Sequence, residues 1–196
     1  MARFDPPNRV ASRPRRAANI DFRLARPEDI PAITRLISMA MRELSEGFYT
    51  PDQVERALDS VVGTDPGLIT DGTYFVAESD GEIIGAGGWS FRDTVHCSTQ
   101  CPADESPPLN PATDAAKIRA FFVHPKAARQ GIATRLFKIA AEAARSAGFT
   151  SLELMATLPG EPLYLALGFE IQDRVAVPLR GGLLLPCVLM SKKLTE

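Results

Sequence analysis

One segment constrains the fold more than any other part of this chain. A strand-like apolar run at residues 117–123 leads through a proline break and a basic turn into an amphipathic helix at 131–147. Gly131 and Ala133 keep the start of that helix free of bulky side chains. Because the first N–H groups of a helix lack intrahelical partners and the helix dipole adds positive charge there, the junction can bind a phosphate. The sequence therefore predicts a strand–turn–helix unit with an anion site.

Composition limits the classes of function. The chain has 196 residues, of which 45% are hydrophobic and 23% charged, as in an ordinary soluble globular domain. Its formal net charge of -2 provides no general basic field for nucleic acid or anionic membrane. No apolar run approaches the roughly 20 residues that span a bilayer, and the N-terminus lacks the apolar core of a signal peptide. We expect a cytoplasmic protein with neither a nucleic-acid nor a membrane partner.

The cysteines are few and odd in number. Cys97, Cys101 and Cys187 do not form the pattern of a disulfide framework, so we expect reduced thiols. His96 lies beside Cys97, but this cluster supplies at most three ligands. The sequence therefore predicts no metal site.

Two segments stand apart from the regular elements. Residues 1–19 are rich in Arg and Pro with little apolar periodicity, which predicts a basic N-terminal tail before a single domain at 20–196. Residues 92–114 are rich in Pro, Ser, Thr and Asp and predict a long loop.

The remaining patterns predict the element order β, α, α, β, β, β, α, β, α, β, β. The strands are expected at 20–24, 73–78, 82–89, 117–123, 151–156, 169–177 and 183–192. The helices are expected from residues 26 and 50 onward and at 131–147 and 162–167. A helix between the strands at 117–123 and 151–156 implies a parallel crossover, whereas hairpins elsewhere imply antiparallel pairing. We therefore predict an α/β (α+β) fold with a mixed, mainly antiparallel central sheet flanked by helices.

Two motifs resemble those of one family, the GCN5-related N-acetyltransferases (GNAT). Residues 121–134 resemble the cofactor motif in which an Arg/Gln-x-x-Gly-x-Gly/Ala turn holds the pyrophosphate of acetyl-coenzyme A. Gly131 and Ala133 fit this motif, Ala128 stands where Arg or Gln is usual, and Arg129 adds the charge. Residues 163–170 are similar to the family's Tyr-x-x-x-Gly-Phe signature, with Tyr164 as its tyrosine.

The resemblance covers about residues 20–192 and implies the GNAT fold, acetyl-CoA as cosubstrate and acetyl transfer to a primary amine. The acceptor would be a small molecule or a peptide that attacks directly in a ternary complex. Backbone groups of Phe121, Phe122 and Val123 would pair with the pantetheine arm, and Tyr164 would be the general acid. The residues implied around the pyrophosphate are Arg129, Gln130, Gly131, Ile132, Ala133 and Thr134.

The general base stays open at this point. The glutamate that some relatives carry at the start of the fourth strand falls near Lys117, with Arg119 beyond it, and neither cation can accept a proton. The remaining candidates are Glu78, Asp93, His96, Asp114 and Glu153, or a chain of water molecules. Pro159 stands where the family commonly has Asn. An alternative function is therefore an acyl-CoA-binding sensor or interaction module without turnover.

Several apolar features have two interpretations. Phe48 and Tyr49 are expected to be exposed in a loop and, with Trp89, either line an acceptor pocket or simply pack. The run at 183–185 contributes to the core or to a dimer contact, and we predict a homodimer. His124, before Pro125, is expected to be structural.

Overall fold

The computed structural model describes residues 19–93 and 107–194, and these residues build one central sheet of seven strands. The strands are β1 (Ile20–Leu24), β2 (Tyr74–Ser79), β3 (Glu82–Ser90), β4 (Ala116–Val123), β5 (Ser151–Thr157), β6 (Glu170–Pro178) and β7 (Leu184–Lys193). Their spatial order is β1-β2-β3-β4-β5-β7-β6. β4 and β5 run parallel and every other neighbouring pair is antiparallel, which confirms the predicted mixed sheet. Residues 1–18 of the predicted tail, and His96, Cys97 and Cys101, lie outside the described residues.

Five α-helices are found in the described part of the chain. They are α1 (Ile30–Leu44), α2 (Pro51–Ser60), α3 (Pro66–Thr70), α4 (Ile132–Ser146) and α5 (Glu161–Ala166). The predicted element order lacked α3, because its five residues are too few to show helical periodicity. Thr50 caps α2 as expected, since its side chain accepts a hydrogen bond from the backbone N–H of Gln53.

The sheet separates the two largest hydrophobic cores. On one face α1 and α2 pack against the sheet through side chains such as Ile33 and Ala57. On the other face α4 and α5 contribute Phe137 and Tyr164. Side chains alternate between the two cores along β5, where Leu154 belongs to the α4 face and Met155 to the α1 face. The side chains of adjacent residues in one strand therefore pack on opposite faces of the sheet.

An ion network joins the sheet edge to the beginning of α1. The guanidinium of Arg23 contacts Asp29 at 2.6 Å and Glu78 at 2.7 Å. Asp29 also accepts a hydrogen bond from the backbone N–H of Arg26 at 2.8 Å. The hydrogen bond from Arg23 holds the pKa of the Asp29 carboxyl below its usual value of 3.8. Glu78 is thus part of a structural network.

Two aromatic residues have structural positions that the sequence left open or misjudged. Tyr49 was expected to be exposed, but its ring is buried and its hydroxyl donates to the carbonyl of Pro186 at 2.7 Å and accepts from the N–H of Leu158 at 2.8 Å. Burial raises the pKa of this phenol. Trp89 is also buried and packs edge-on against Phe149, so neither residue is an exposed pocket wall. Phe48 is exposed as expected.

None of the helices in the described ranges is both long and apolar enough to span a bilayer.

Candidate active site

The central feature of the candidate site is a gap in the sheet between β4 and β5. Within the described residues these strands pair at two positions only, Ala116 with Leu152 and Lys117 with Glu153. Beyond the second pair each strand keeps its outer neighbour, β3 or β7, while the two strands no longer pair with each other. The inner edges of β4 and β5 are therefore available to an extended ligand, as in strand addition.

A β-bulge in β4 lies beside this gap. Gly88 pairs with Arg119 but Ala86 pairs with Phe122, so β4 carries an extra residue relative to β3. Ala120 adopts φ of 53°, which is unusual for a residue with a side chain. Its carbonyl accepts a hydrogen bond from the buried Tyr74 hydroxyl at 3.0 Å. Tyr74 thus holds the bend that turns β4 at the gap.

The gap is the mouth of a cleft of about 200 Å³. β4 lines it with residues 117–122, β5 with residues 153–157, and the segment after α2 with residues 61–63. Gly160, Leu163 and Tyr164 close it at α5, and Val177, Leu185, Cys187 and Leu189 close it at β6 and β7. Phe121 and Phe122 therefore lie in the cleft wall. Val123 does not belong to this lining and pairs with Gly85.

The basic turn stands at the end of β4, directly before α4. Arg129 and Gly131 both have positive φ, 63° and 80°, which folds the turn tightly. Gly131 is the N-cap of α4, which begins at Ile132, one residue after the predicted start, and no side chain caps the helix. A Cβ at Gly131 would meet no atom within 4 Å, so the space over the helix start is open. The unpaired N–H groups of this first turn form a suitable anion site.

The other residues of the turn differ in the groups that they could provide to a bound anion. Gln130 is exposed, and its side-chain amide donates to the carbonyl of Lys126 at 3.1 Å. Ala133 and Thr134 are half-buried. Ile132 packs its side chain into a small core with Leu136, so only its backbone N–H is available to a ligand. His124 accepts a hydrogen bond from the N–H of Lys126, in agreement with its predicted structural role.

Tyr164 lies where α5 closes the cleft. It is 8% exposed and packs edge-on against Phe169, with ring centroids 5.7 Å apart. Its hydroxyl has no hydrogen-bond partner among the described residues. Burial raises the pKa of this phenol, so it stays protonated at neutral pH and keeps a proton to donate.

The five candidate bases do not lie together. Glu153 lines the cleft, whereas Glu78 belongs to the network at β1. Asp114 accepts a hydrogen bond from the N–H of Asn110 in the turn before β4. Asp93 is exposed beyond β3, and His96 lies outside the described residues. Glu153 is therefore the carboxylate among them that the fold places in the cleft.

Two ion pairs in the cleft region escaped the sequence analysis. Lys117 contacts Glu153 at 2.5 Å, and Arg119 contacts Asp65 at 3.3 Å. The partners are 36 and 54 positions apart in the chain, and only the alternation of charged residues in β4 indicated a polar surface.

Cys187 was also not assigned to the site by the sequence. Burial raises the pKa of its thiol to about 11, so it stays a thiol at neutral pH.

Comparison with solved structures shows the same fold in several acetyltransferases. A GCN5-related N-acetyltransferase from Rhodopseudomonas palustris matches with a TM-score of 0.65 and 19% identity, covering 89% of this chain and 95% of that one. The PaiA N-acetyltransferase from Thermoplasma acidophilum, in complex with coenzyme A, matches with a TM-score of 0.62 and 14% identity over 90% of this chain and 99% of that one. YncA from Salmonella typhimurium, with its cofactor acetyl-CoA, matches with a TM-score of 0.60 and 16% identity over 90% and 95%.

Comparison with curated protein sequences gives no significant match. The model of the acetyltransferase (GNAT) family matches residues 34–169, which include the β4–β5 gap, the basic turn and Tyr164. This chain therefore belongs to the GNAT acetyltransferase family.

Proposed function

We propose that this protein is an N-acetyltransferase that moves an acetyl group from acetyl-CoA to a primary amine. The observation that carries the proposal is the β4–β5 gap, which opens toward an uncapped helix start and contains a protonated tyrosine. The complexes of related folds with coenzyme A or acetyl-CoA support the choice of cosubstrate.

The chain's own residues suit such a ligand in two places. Backbone groups on the inner edge of β4, from Phe121 to Val123, supply donors and acceptors for the amides of an extended arm. The N–H groups at Gly131 and the following residues supply donors for a pyrophosphate, and Arg129 adds a positive charge beside them. The open space over Gly131 leaves room for the phosphate oxygens.

The reaction requires a neutral amine, an acyl donor and an acid for the leaving sulfur. The thioester supplies the activated acetyl group. Tyr164 donates its proton to the departing sulfur, because burial keeps the phenol protonated and its hydroxyl is not engaged elsewhere in the described structure. The apolar side chains of the cleft wall limit the water that would compete with the amine.

The experiment measures CoA release from acetyl-CoA in the presence of a panel of primary amines, with acetyl-CoA and CoA binding followed by calorimetry. Amine-dependent release that saturates with both substrates supports the enzyme. Saturable CoA binding without release for any amine selects the alternative, a sensor that keeps the cleft but does not turn over. Pro159 in the turn before α5 motivates that alternative, since proline offers no amide group to the ligand.

A further inference from the structure

The ion pair between Lys117 and Glu153 occupies a defined place in the cleft. The two residues face each other in the last paired position of β4 and β5, where the strands begin to separate. The Lys117 ammonium lies 2.5 Å from a Glu153 carboxylate oxygen, and the side chains are 19% and 34% exposed. Both residues line the cleft. The pair therefore stands at the narrow end of the gap, opposite the end that meets the basic turn.

The surroundings of this pair are mostly apolar. Met155 and Leu189 line the same cleft, as do Val61 and Val62 from the segment after α2. The second cation nearby, Arg119, contacts Asp65 at 3.3 Å. A partly desolvated charge is costly unless an opposite charge accompanies it. Whatever enters this end of the cleft must therefore leave both Lys117 and Glu153 with partners.

An acceptor that carries only an ammonium group would pair with the Glu153 carboxylate and leave the Lys117 ammonium without a partner. A molecule that carries an ammonium and a carboxylate a few bonds apart satisfies both, because each of its charges replaces one half of the existing pair. We infer that the acceptor is an α-amino acid or a close analogue, with its ammonium on Glu153 and its carboxylate on Lys117. The apolar wall favours an uncharged, apolar side chain on that acceptor. This inference rests on the proposed function and names the substrate class of the same cleft.

The proton balance of the step is complete. The ammonium nitrogen loses one proton to the Glu153 carboxylate, which passes it to bulk water. The neutral nitrogen then forms a bond to the thioester carbonyl carbon while the carbon–sulfur bond breaks. The sulfur takes the Tyr164 proton, and Tyr164 regains the second proton that the nitrogen loses. The products are an N-acetylamino acid, CoA and one proton.

The test compares acceptors in which a carboxamide replaces the carboxylate, with kcat/KM expressed per neutral amine because the amide also has a lower amine pKa. We would measure kcat/KM with acetyl-CoA for leucine against leucinamide and for methionine against methioninamide. We expect the wild-type enzyme to prefer each amino acid by about 10-fold or more, which corresponds to about 1.4 kcal/mol. In Lys117→Met the preference should shrink to less than about threefold, because the carboxylate has lost its partner. Lys117→Arg keeps the charge and should keep most of the preference.

Two further variants make the test specific. Lys193→Met removes an exposed lysine at the end of β7 and should leave the preference unchanged. Glu153→Gln should lower kcat/KM for acid and amide alike, with a defect that shrinks at high pH where the amine is already neutral. A merely structural role for Glu153 would give a defect independent of pH.

Several results would overturn the inference. An amide that reacts as well as its amino acid in the wild-type enzyme refutes it, and so does a preference that survives in folded Lys117→Met. Acetyl-CoA binding with acetylation of simple amines but of no amino acid also refutes it, while the proposed function stands. Failure to bind acetyl-CoA at all would refute both the amino-acid acceptor and the proposed acetyltransferase function. The failure of the inference alone can therefore be told apart from the failure of the proposed function.

Discussion

Replacing Tyr164 with phenylalanine tests the proposed acid most directly, because the change removes one hydroxyl and keeps the ring. The ring packs against Phe169 at the end of the cleft, and that contact remains in the variant. The hydroxyl has no hydrogen-bond partner among the described residues. The substitution should therefore affect proton donation far more than it affects folding.

The expected magnitudes follow from this geometry. Loss of general-acid catalysis should lower kcat by about 10² to 10⁴. The free energy of unfolding should change by less than about 0.5 kcal/mol, since no internal hydrogen bond of the described structure is broken. A purely structural tyrosine predicts the reverse: a stability loss of about 1 kcal/mol with near-normal turnover. The affinity for acetyl-CoA should change little in either case.

Tyr49 offers a matched control. It is equally buried, but its hydroxyl makes two hydrogen bonds, to Pro186 and from Leu158. Tyr49→Phe leaves both backbone groups unsatisfied and should lose about 1–3 kcal/mol of stability. At about 2–4 °C per kcal/mol for a chain of this size, its Tm should fall clearly while kcat changes much less.

The assay combines steady-state CoA release on the best acceptor with thermal and urea unfolding of both variants. A fully active and stable Tyr164→Phe protein would remove Tyr164 from the mechanism and leave solvent as the proton donor. Equal losses of kcat in the two variants would show that general disturbance of the cleft, and not the lost proton, reduces the rate.

Three other substitutions and the oligomeric state have defined expected outcomes. Gly131→Val should weaken CoA binding by about 10-fold or more, because its side chain enters the open space over the helix start. Arg129→Ala should cost only about two- to fivefold in calorimetric affinity, since the backbone N–H groups remain. Asp29→Asn should lose about 2 kcal/mol of stability at neutral pH by weakening the contact with Arg23. The protein should have the mass of a dimer by light scattering at working concentration.

Each of these outcomes has a control or a contradicting result. Gly181 has the same backbone strain, with φ of 81° and no atom within 4 Å of a Cβ, but lies in the β6–β7 turn. Equal CoA affinity in folded Gly131→Val and Gly181→Val would refute the proposed position of the phosphate at the start of α4. A loss of CoA affinity in Arg129→Ala that exceeds the loss in Gly131→Val would refute it as well. A monomer mass would reject the dimer.

The direction of the pKa shift of Asp29 determines how its contribution to stability depends on pH. Its folded pKa is lowered, so its stabilising contribution is present above the unfolded value of 3.8 and is lost as the pH falls through the folded value. The stability difference between the wild-type protein and Asp29→Asn should therefore narrow below about pH 4. A difference that stays constant down to pH 2 would show that the carboxylate charge does not contribute.

Local patterns were sufficient to predict most of the fold. The alternation in β1 and the Asp80–Gly81 turn between β2 and β3 need only neighbouring residues, and both turn residues do adopt positive φ. Thr50 before Pro51 marked the start of α2 for the same reason. The family resemblance depended on two short motifs, and these are contiguous in the chain.

Where local signals were weak, the predictions failed or stayed open. α3 spans less than two helical turns and has no periodicity to detect. Tyr49 was predicted to be exposed because it lies in the loop between the first two helices. Only the tertiary structure brings the carbonyl of Pro186 in β7 and the N–H of Leu158 before α5 to its hydroxyl.

The sequence alone determined where an anion site could form, because an uncapped helix start after a glycine is a local property of the backbone. Only the tertiary structure decided what the gap between β4 and β5 contains. Lys117 and Glu153 come from strands joined by a helical crossover, and they are in contact because the parallel register of β4 and β5 places them opposite each other at the last paired position. Charge pairing and burial depend on the distance between residues far apart in the chain, and that distance is set by packing of the whole sheet.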